Sequence, residues 1–421
     1  MKSELKIILG NSLYLYLIQG LNYLLPLLTL PYLLLTLSTE SFGKYSYAFA
    51  FSQFIILFVD FGFNITATKK IAENVDHEHK VKAIFWNILV IKFVFFLIAS
   101  LITIIATLFI DKLFEYREGI WISLTMVLGV VLFPIWWFQG LNKMKALSLI
   151  NACAKLLSYP LIFILVKHKD DAGMAIFIQS LAILLAGLIS IGYVYKNYRY
   201  YFKDFCFSKD PGNYIDEIKG SWPIFLSNSA ISLYTNSLTL LLGFFSTPYN
   251  VGLFAAIERI VRVICFGVLG PINQACFPLL ARLKQTDFEK AKKIFKMVLF
   301  GVAITMMVSF LSFIFFESWI VSKFLVGFNG NASYLLLLFM TMIFPIALGG
   351  VGGQLGLLAL GNEMHKRKFS AIYLITGFLS IPCSILAVFY YQINGAIYSM
   401  LTVETVIFLV IFYYVKKYRF L

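Results

Sequence analysis

The chain has 421 residues, 60% of them hydrophobic and 13% charged, with a mean hydropathy of +0.84. Soluble domains carry about 25% charged residues, so the composition excludes a soluble enzyme and leaves no room for a separate soluble domain. The net charge is +14, but the basic residues sit in short segments between apolar runs. That placement fits membrane topology and anionic headgroups, not nucleic acid.

Apolar runs begin at 11–35. This first run is too long for a signal-peptide core and no small-residue cleavage site follows, so it reads as a spanning helix. It carries Gln19, Asn22, Pro26 and Pro31, a polar face on a helix that Pro26 should kink. The second run, 45–68, holds Gln53 and ends in Asp60-Phe61-Gly62-Phe63-Asn64. Asp60 there is a gate residue, a counter-ion to a cavity cation, or a solvated helix end. The third (84–110) and fifth (147–166) runs contain Lys92 and Lys155. Each lies roughly 12 Å inside its cytoplasmic end at 1.5 Å per residue, placed either to snorkel outward or to attract an anionic headgroup. The fourth run, 119–138, leads into Trp136-Trp137-Phe138-Gln139-Gly140, and the sixth covers 172–195.

A basic stretch at about 196–220 with the turn signal Lys209-Asp210-Pro211-Gly212 separates the first six runs from the rest. The seventh run is 221–245 and the eighth 251–281. The eighth carries Glu258, Arg259 and Arg262, which share an arc of about 100° on one helix face. Arg262 falls near the bilayer midplane. Glu258 and Arg262 are spaced i,i+4 and are able to satisfy each other, which would leave Arg259 over. The last runs are 294–316, 332–360, 369–390 and 395–415. The tenth contains Gly349, Gly350, Gly352, Gly353 and Gly356, which permit close packing or bending. The twelfth holds an isolated Glu404.

Each run approaches or exceeds the roughly 20 residues that a span needs. The predicted fold is therefore all-α: a polytopic membrane protein of about twelve transmembrane helices. With the N-terminus inside, inner loops hold about four times as many Lys and Arg as outer ones. That places both termini in the cytoplasm. The expected domains are a six-helix lobe at 1–200, an inter-lobe loop at 201–220 and a second lobe at 221–421. One constant offset aligns Phe42-Gly43-Lys44-Tyr45 with Val251-Gly252-Leu253-Phe254, Asn64 with Asn273, and Gln53 with Arg262. Two pseudo-symmetric lobes around a central cavity follow, in one shared orientation.

Charges inside spans are costly and mark function. The candidate substrate-binding cations are Arg262, Arg259, Lys92 and Lys155. Glu258, Asp60 and Glu404 are gate or charge partners, and Asn22 and Gln53 are polar cavity residues. The five cysteines show no metal-ligand spacing and read as small buried hydrophobes. His77 and His79 flank Glu78 without a third ligand, so no metal site is expected. No nucleotide-binding or hydrolase motif occurs, and no cofactor is expected.

Two stretches resemble a known family. The first pairs Asn11-Ser12, Gln19 and Pro31-Tyr32 with Phe42-Gly43, Asp60-Phe61-Gly62-Phe63 and Ala67-Thr68-Lys69-Lys70-Ile71-Ala72. The second is Trp136-Trp137-Phe138-Gln139-Gly140-Leu141-Asn142-Lys143-Met144, and Val166-Lys167 with Asp170-Asp171 is similar to a connection in the same family. Together they resemble O-antigen flippases of the Wzx type, in the polysaccharide branch of the multidrug/oligosaccharidyl-lipid/polysaccharide (MOP) exporter superfamily. The resemblance implies a bacterial inner-membrane protein that is not an enzyme. It implies translocation of undecaprenyl-pyrophosphate-linked O-antigen repeat units from the cytoplasmic to the periplasmic leaflet by alternating access. The implied partners are that lipid-linked oligosaccharide, membrane lipids, an O-antigen polymerase and a chain-length regulator. A multidrug/cation antiporter of the same superfamily is the alternative, disfavoured by the excess of intramembrane cations. An O-antigen polymerase or ligase is a third reading, disfavoured by the short outer loops.

Overall fold

The computed structural model describes residues 20, 25–26, 28–203, 211–328 and 331–420. Asn22 and Gln19 lie outside the described residues. Helix occupies 28–36 and is followed by α1 (Thr39–Asp60), α2 (Phe63–Glu73), α3 (Glu78–Phe109), α4 (Arg117–Leu132), α5 (Ile135–Gly140), α6 (Met144–Ser158), α7 (Pro160–Leu165) and α8 (Ala172–Asn197). Then come α9 (Pro211–Thr235), α10 (Ser237–Phe245), α11 (Pro248–Thr286), α12 (Phe288–Phe324), α13 (Ala332–Met340), α14 (Ile343–Val351), a π-helical stretch Gly352–Leu360, and α15 (Glu363–Lys417). Among the described residues, 8 helical stretches are long and apolar enough to cross a membrane. The longest, α15, has 55 residues and is two helices joined at Gln392 (φ 47, ψ −123).

The described chain forms two compact units: one of Lys44–Ser229 with the residues up to Thr29, the other of Leu30–Gly43 with Ala230–Leu421. In the first unit, large aromatics make the core. Trp136, Trp137, Phe138, Phe85, Phe63 and Tyr201 are almost completely buried. The tryptophan-rich stretch singled out in the sequence therefore packs the interior. Gly140 ends it, because a Cβ there would lie 2.6 Å from the Ile71 side chain on α2. The Thr68 hydroxyl, which lies 2.6 Å from the Asn64 carbonyl on its own helix, also comes within 3.3 Å of the Trp136 carbonyl and of Gln139 Oε1. Helices α4 and α8 approach through Gly129 and Gly187: a Cβ on Gly187 would sit 2.7 Å from the Gly129 carbonyl. Small residues let membrane helices pack backbone to backbone in this way.

Between α1 and α2 the chain turns through two left-handed residues, Phe61 (φ 48) and Gly62 (φ 82). A phenylalanine in this region is strained by roughly 1–2 kcal/mol. The strain is held by packing: the Phe61 ring stacks on Phe225 at 4.3 Å between centroids. The short α7–α8 connection is braced by Asp171, whose carboxylate accepts from the backbone N–H of His168 and Lys167 at 2.8 Å each. Those bonds hold its carboxyl below the usual range. Its small contribution is therefore present above the ordinary carboxylate pKa and is lost as pH falls through the lowered one.

In the second unit, the glycines at 349–356 let neighbouring side chains pack close to the backbone. A Cβ on Gly349 would lie 3.4 Å from Phe408, one on Gly352 3.0 Å from Ile411, and one on Gly356 3.2 Å from Phe295. The repeat-matched Gly43 and Gly252 face each other at the start of α1 and α11. A Cβ on Gly43 would run into the Pro248 carbonyl, and one on Gly252 would lie 3.1 Å from Gly43 N. Gly43→Val is expected to cost about 3 kcal/mol through overpacking. Gly301→Ala, on α12 with nothing within 4 Å, should be neutral or slightly stabilising. Thermal melting of the detergent-purified variants checks both.

Among the described residues, the expectation that the cysteines are buried holds for Cys265 alone. Cys153 and Cys383 are exposed and Cys276 is partly so. Cys153 and Cys383 sit on apolar helices, where exposure means contact with lipid and burying a small hydrophobe brings no gain.

Candidate functional site

Helix α11 opens with Pro248 at its first position and Thr247 as N-cap, whose side chain accepts from Asn250 N at 3.4 Å. Proline suits that position because its missing N–H is unneeded there. One face of the helix, with Ile257, Ile260, Val261 and Cys265, is buried in the second unit. The other presents Glu258, Arg259 and Arg262. Arg262 donates to Glu258 Oε1 from Nε at 2.8 Å and from Nη2 at 2.6 Å. The i,i+4 pair anticipated from spacing is thus formed.

Arg259 is the cation left over. It is partly buried, and its Nη1 is shielded from solvent without a hydrogen-bond partner among the described residues. A buried donor without an acceptor costs about 1–3 kcal/mol, more when charged.

Three further polar side chains converge on this face. Glu404 in the second half of α15, Tyr234 on α9 and Glu258 all act electrostatically on Arg262, and Tyr373 in the first half of α15 lies within reach of Glu404. Four helical segments therefore bring two arginines, two glutamates and two tyrosines to one region of the second unit. Sequence reasoning named Glu404 but passed over Tyr234 and Tyr373. Tyrosine is common in apolar helices, and the available signal was the polar run Ser227, Asn228, Ser229, Ser232, Asn236 around Tyr234.

The first unit is arranged differently. Lys92 Nζ is 3.0 Å from Asp60 Oδ1 and donates also to the Val130 carbonyl at 3.3 Å. The lysine side chain is 0% exposed and that of Asp60 17%. Lys92 neither snorkels nor faces an open cavity, and Asp60 is a counter-ion and not a solvated helix end. Lys155 is partly buried on α6, and Gln53 is partly buried with its amide 3.6 Å from the Met126 sulfur. The structure brings neither to the pair. Asn64 and Asn273, matched by the repeat, each keep a buried side-chain oxygen without a partner among the described residues. The sequence reading also missed a tie between α2 and α9. There Lys70 bonds Glu217 at 2.8 Å, and the hydroxyls of Thr66 and Ser221 meet at 2.7 Å.

The arrangement has no nucleophile–base pair. It offers guanidinium groups for an anion and aromatic, hydroxyl-bearing faces for polar ligands.

Comparison with known proteins agrees with this. The profile of the family described as "Polysaccharide biosynthesis protein" matches residues 8–284. A protein of Escherichia coli (strain K12) described as "Putative O-antigen transporter" is 32% identical over 98% of this chain and 97% of its own length. One of Shigella dysenteriae is 31% identical over 95% and 98%. Among solved structures, the lipid II flippase MurJ in an inward closed conformation superposes with a TM-score of 0.73 at 14% identity, covering 97% of this chain and 87% of that one. An inward-facing MATE family transporter of the MOP superfamily gives 0.68 at 14% identity, covering 92% and 94%. These two share the fold. The chain belongs to the polysaccharide biosynthesis protein family, as its resemblance to Wzx-type polysaccharide transporters led us to expect.

Proposed function

We propose that this protein moves undecaprenyl-pyrophosphate-linked O-antigen repeat units from the cytoplasmic to the periplasmic leaflet of the inner membrane. The observation that carries the reading is Arg259, a cation partly buried in an apolar helix bundle whose Nη1 has no partner among the described residues. Keeping it there is costly, and a pyrophosphate is the ligand that planar, bidentate guanidinium donors match best. Arg262 joins it when Glu258 turns toward another partner, and Glu404 and Asp60 serve as charge partners. Tyr373, which is partly exposed, offers a ring face and a hydroxyl to sugars.

The architecture we propose has twelve spans in two six-helix lobes, 1–200 and 221–421, joined by a loop at 201–220, with both termini cytoplasmic. Dividing α15 at Gln392 adds one span to the eight. In this reading the sequence run 11–35, α9 with α10, and α11 would be three more. The two lobes would give alternating access to the two sides of the membrane. A polymerase and a chain-length regulator would receive the product, and basic inner loops would hold anionic lipids.

Deleting the gene should abolish surface O-antigen and supplying it in trans should restore it, read on silver-stained lipopolysaccharide gels. Normal O-antigen in the deletion strain would refute the proposal.

A further inference from the structure

The second unit contains a cleft that the proposed transport site does not use. It lies between the two halves of α15 and measures about 560 Å3. Lys368, Leu379 and Ala387 lie along one wall, and Tyr398, Val406 and Tyr414 along the other. Its lip is apolar and outward-facing: Leu379 is 65% exposed and Val406 41%. On a helix of this hydropathy such a face meets hydrocarbon.

Two features define what fits. The first is length. From Lys368 to Ala387 the wall runs roughly 28 Å at 1.5 Å per residue, close to the full hydrocarbon thickness of about 30 Å. A glycerophospholipid chain fills only its own leaflet, about half of that. The second is the charge at one end. Lys368 Nζ bonds the Tyr418 hydroxyl at 2.5 Å and lies over the Tyr414 ring at 4.8 Å from its centroid. These contacts fix the ammonium at the mouth of the cleft, where it forms no ion pair among the described residues. Neighbouring Lys366 is occupied by Glu363 at 2.6 Å, while Arg367 and Lys417 are exposed beside it.

We propose that this cleft holds the long prenyl chain of the lipid carrier, with the carrier's phosphate against Lys368 before it passes to Arg259. The proposal rests on the function proposed above and adds a separate site for the part of the substrate that stays in hydrocarbon.

Cys383 lines the cleft and is exposed, which provides the test. In the purified full chain with Cys153, Cys206 and Cys276 changed to Ser, N-ethylmaleimide alkylation of Cys383 is timed in detergent. Undecaprenyl phosphate without sugar is expected to slow it, and phosphatidylglycerol at the same concentration is not. Lys368→Gln should raise the concentration needed about tenfold, through loss of one charge-assisted contact. An unchanged rate with undecaprenyl phosphate, or equal protection by phosphatidylglycerol, would overturn the site. Because the probe carries no saccharide, that result alongside normal complementation would sink the cleft alone. Protection alongside intact O-antigen in the deletion strain would sink the transport function alone.

Discussion

Arg259→Ala is expected to abolish O-antigen export while the protein stays at its normal level in the membrane. Removing a buried cation from its anionic ligand costs about 3 kcal/mol, roughly a hundredfold in affinity. No ion-pair partner of Arg259 among the described residues is stranded by the change, so folding should not suffer. Arg259→Lys keeps the charge without the planar fork and should retain part of the activity. Arg262→Ala should behave differently. It also loses export, but it leaves the carboxylate of Glu258 without the two donors it now accepts, so the protein level should fall. Adding Glu258→Gln should restore the level without restoring export. Lipopolysaccharide gels and immunoblots of the membrane fraction separate the two arginines.

Lys92→Met is expected to destabilise the protein by about 3–5 kcal/mol, the range for removing one partner of a buried ion pair. Asp60 would keep a charge at the end of α1, next to the strained Phe61-Gly62 turn, with nothing opposite it. The double variant Lys92→Met/Asp60→Leu removes both charges and should recover most or all of the loss. Thermal melting of the wild type, both single variants and the double variant gives the coupling energy. A coupling near zero would mean that the pair does not hold α1 to α3.

These two sites also show what the sequence made visible. The Glu258–Arg262 pair was legible because i,i+4 spacing on a helix settles who meets whom. The Lys92–Asp60 pair was not, because its partners sit on different helices and no local spacing links them. Asp60-Phe61-Gly62 looked like the inner end of a span. The chain in fact resumes as α2, since stacking of Phe61 on Phe225 holds a turn that propensity alone would not. The turn at Gln392 was foreseen as a gap between the runs 369–390 and 395–415, which polar Gln392 and Asn394 with Gly395 mark. The tryptophan-rich motif pointed to the family, but its physical role, packing against Ile71 and Thr68 of α2, needed the third dimension. Lys155 and Gln53 stood out in sequence because polar groups in apolar helices do, and both are partly buried on their helices.

The central claim is movement of a lipid-linked saccharide between leaflets, and one measurement addresses it directly. Purified protein is reconstituted into liposomes that contain an undecaprenyl-pyrophosphate-linked oligosaccharide with a fluorescent sugar label. A membrane-impermeant quencher is then added outside. With the wild type the whole labelled pool should become quenchable over time. With Arg259→Ala, or with no protein, only the outer-leaflet share should be quenched. Equal quenching in wild-type and protein-free liposomes would contradict the account.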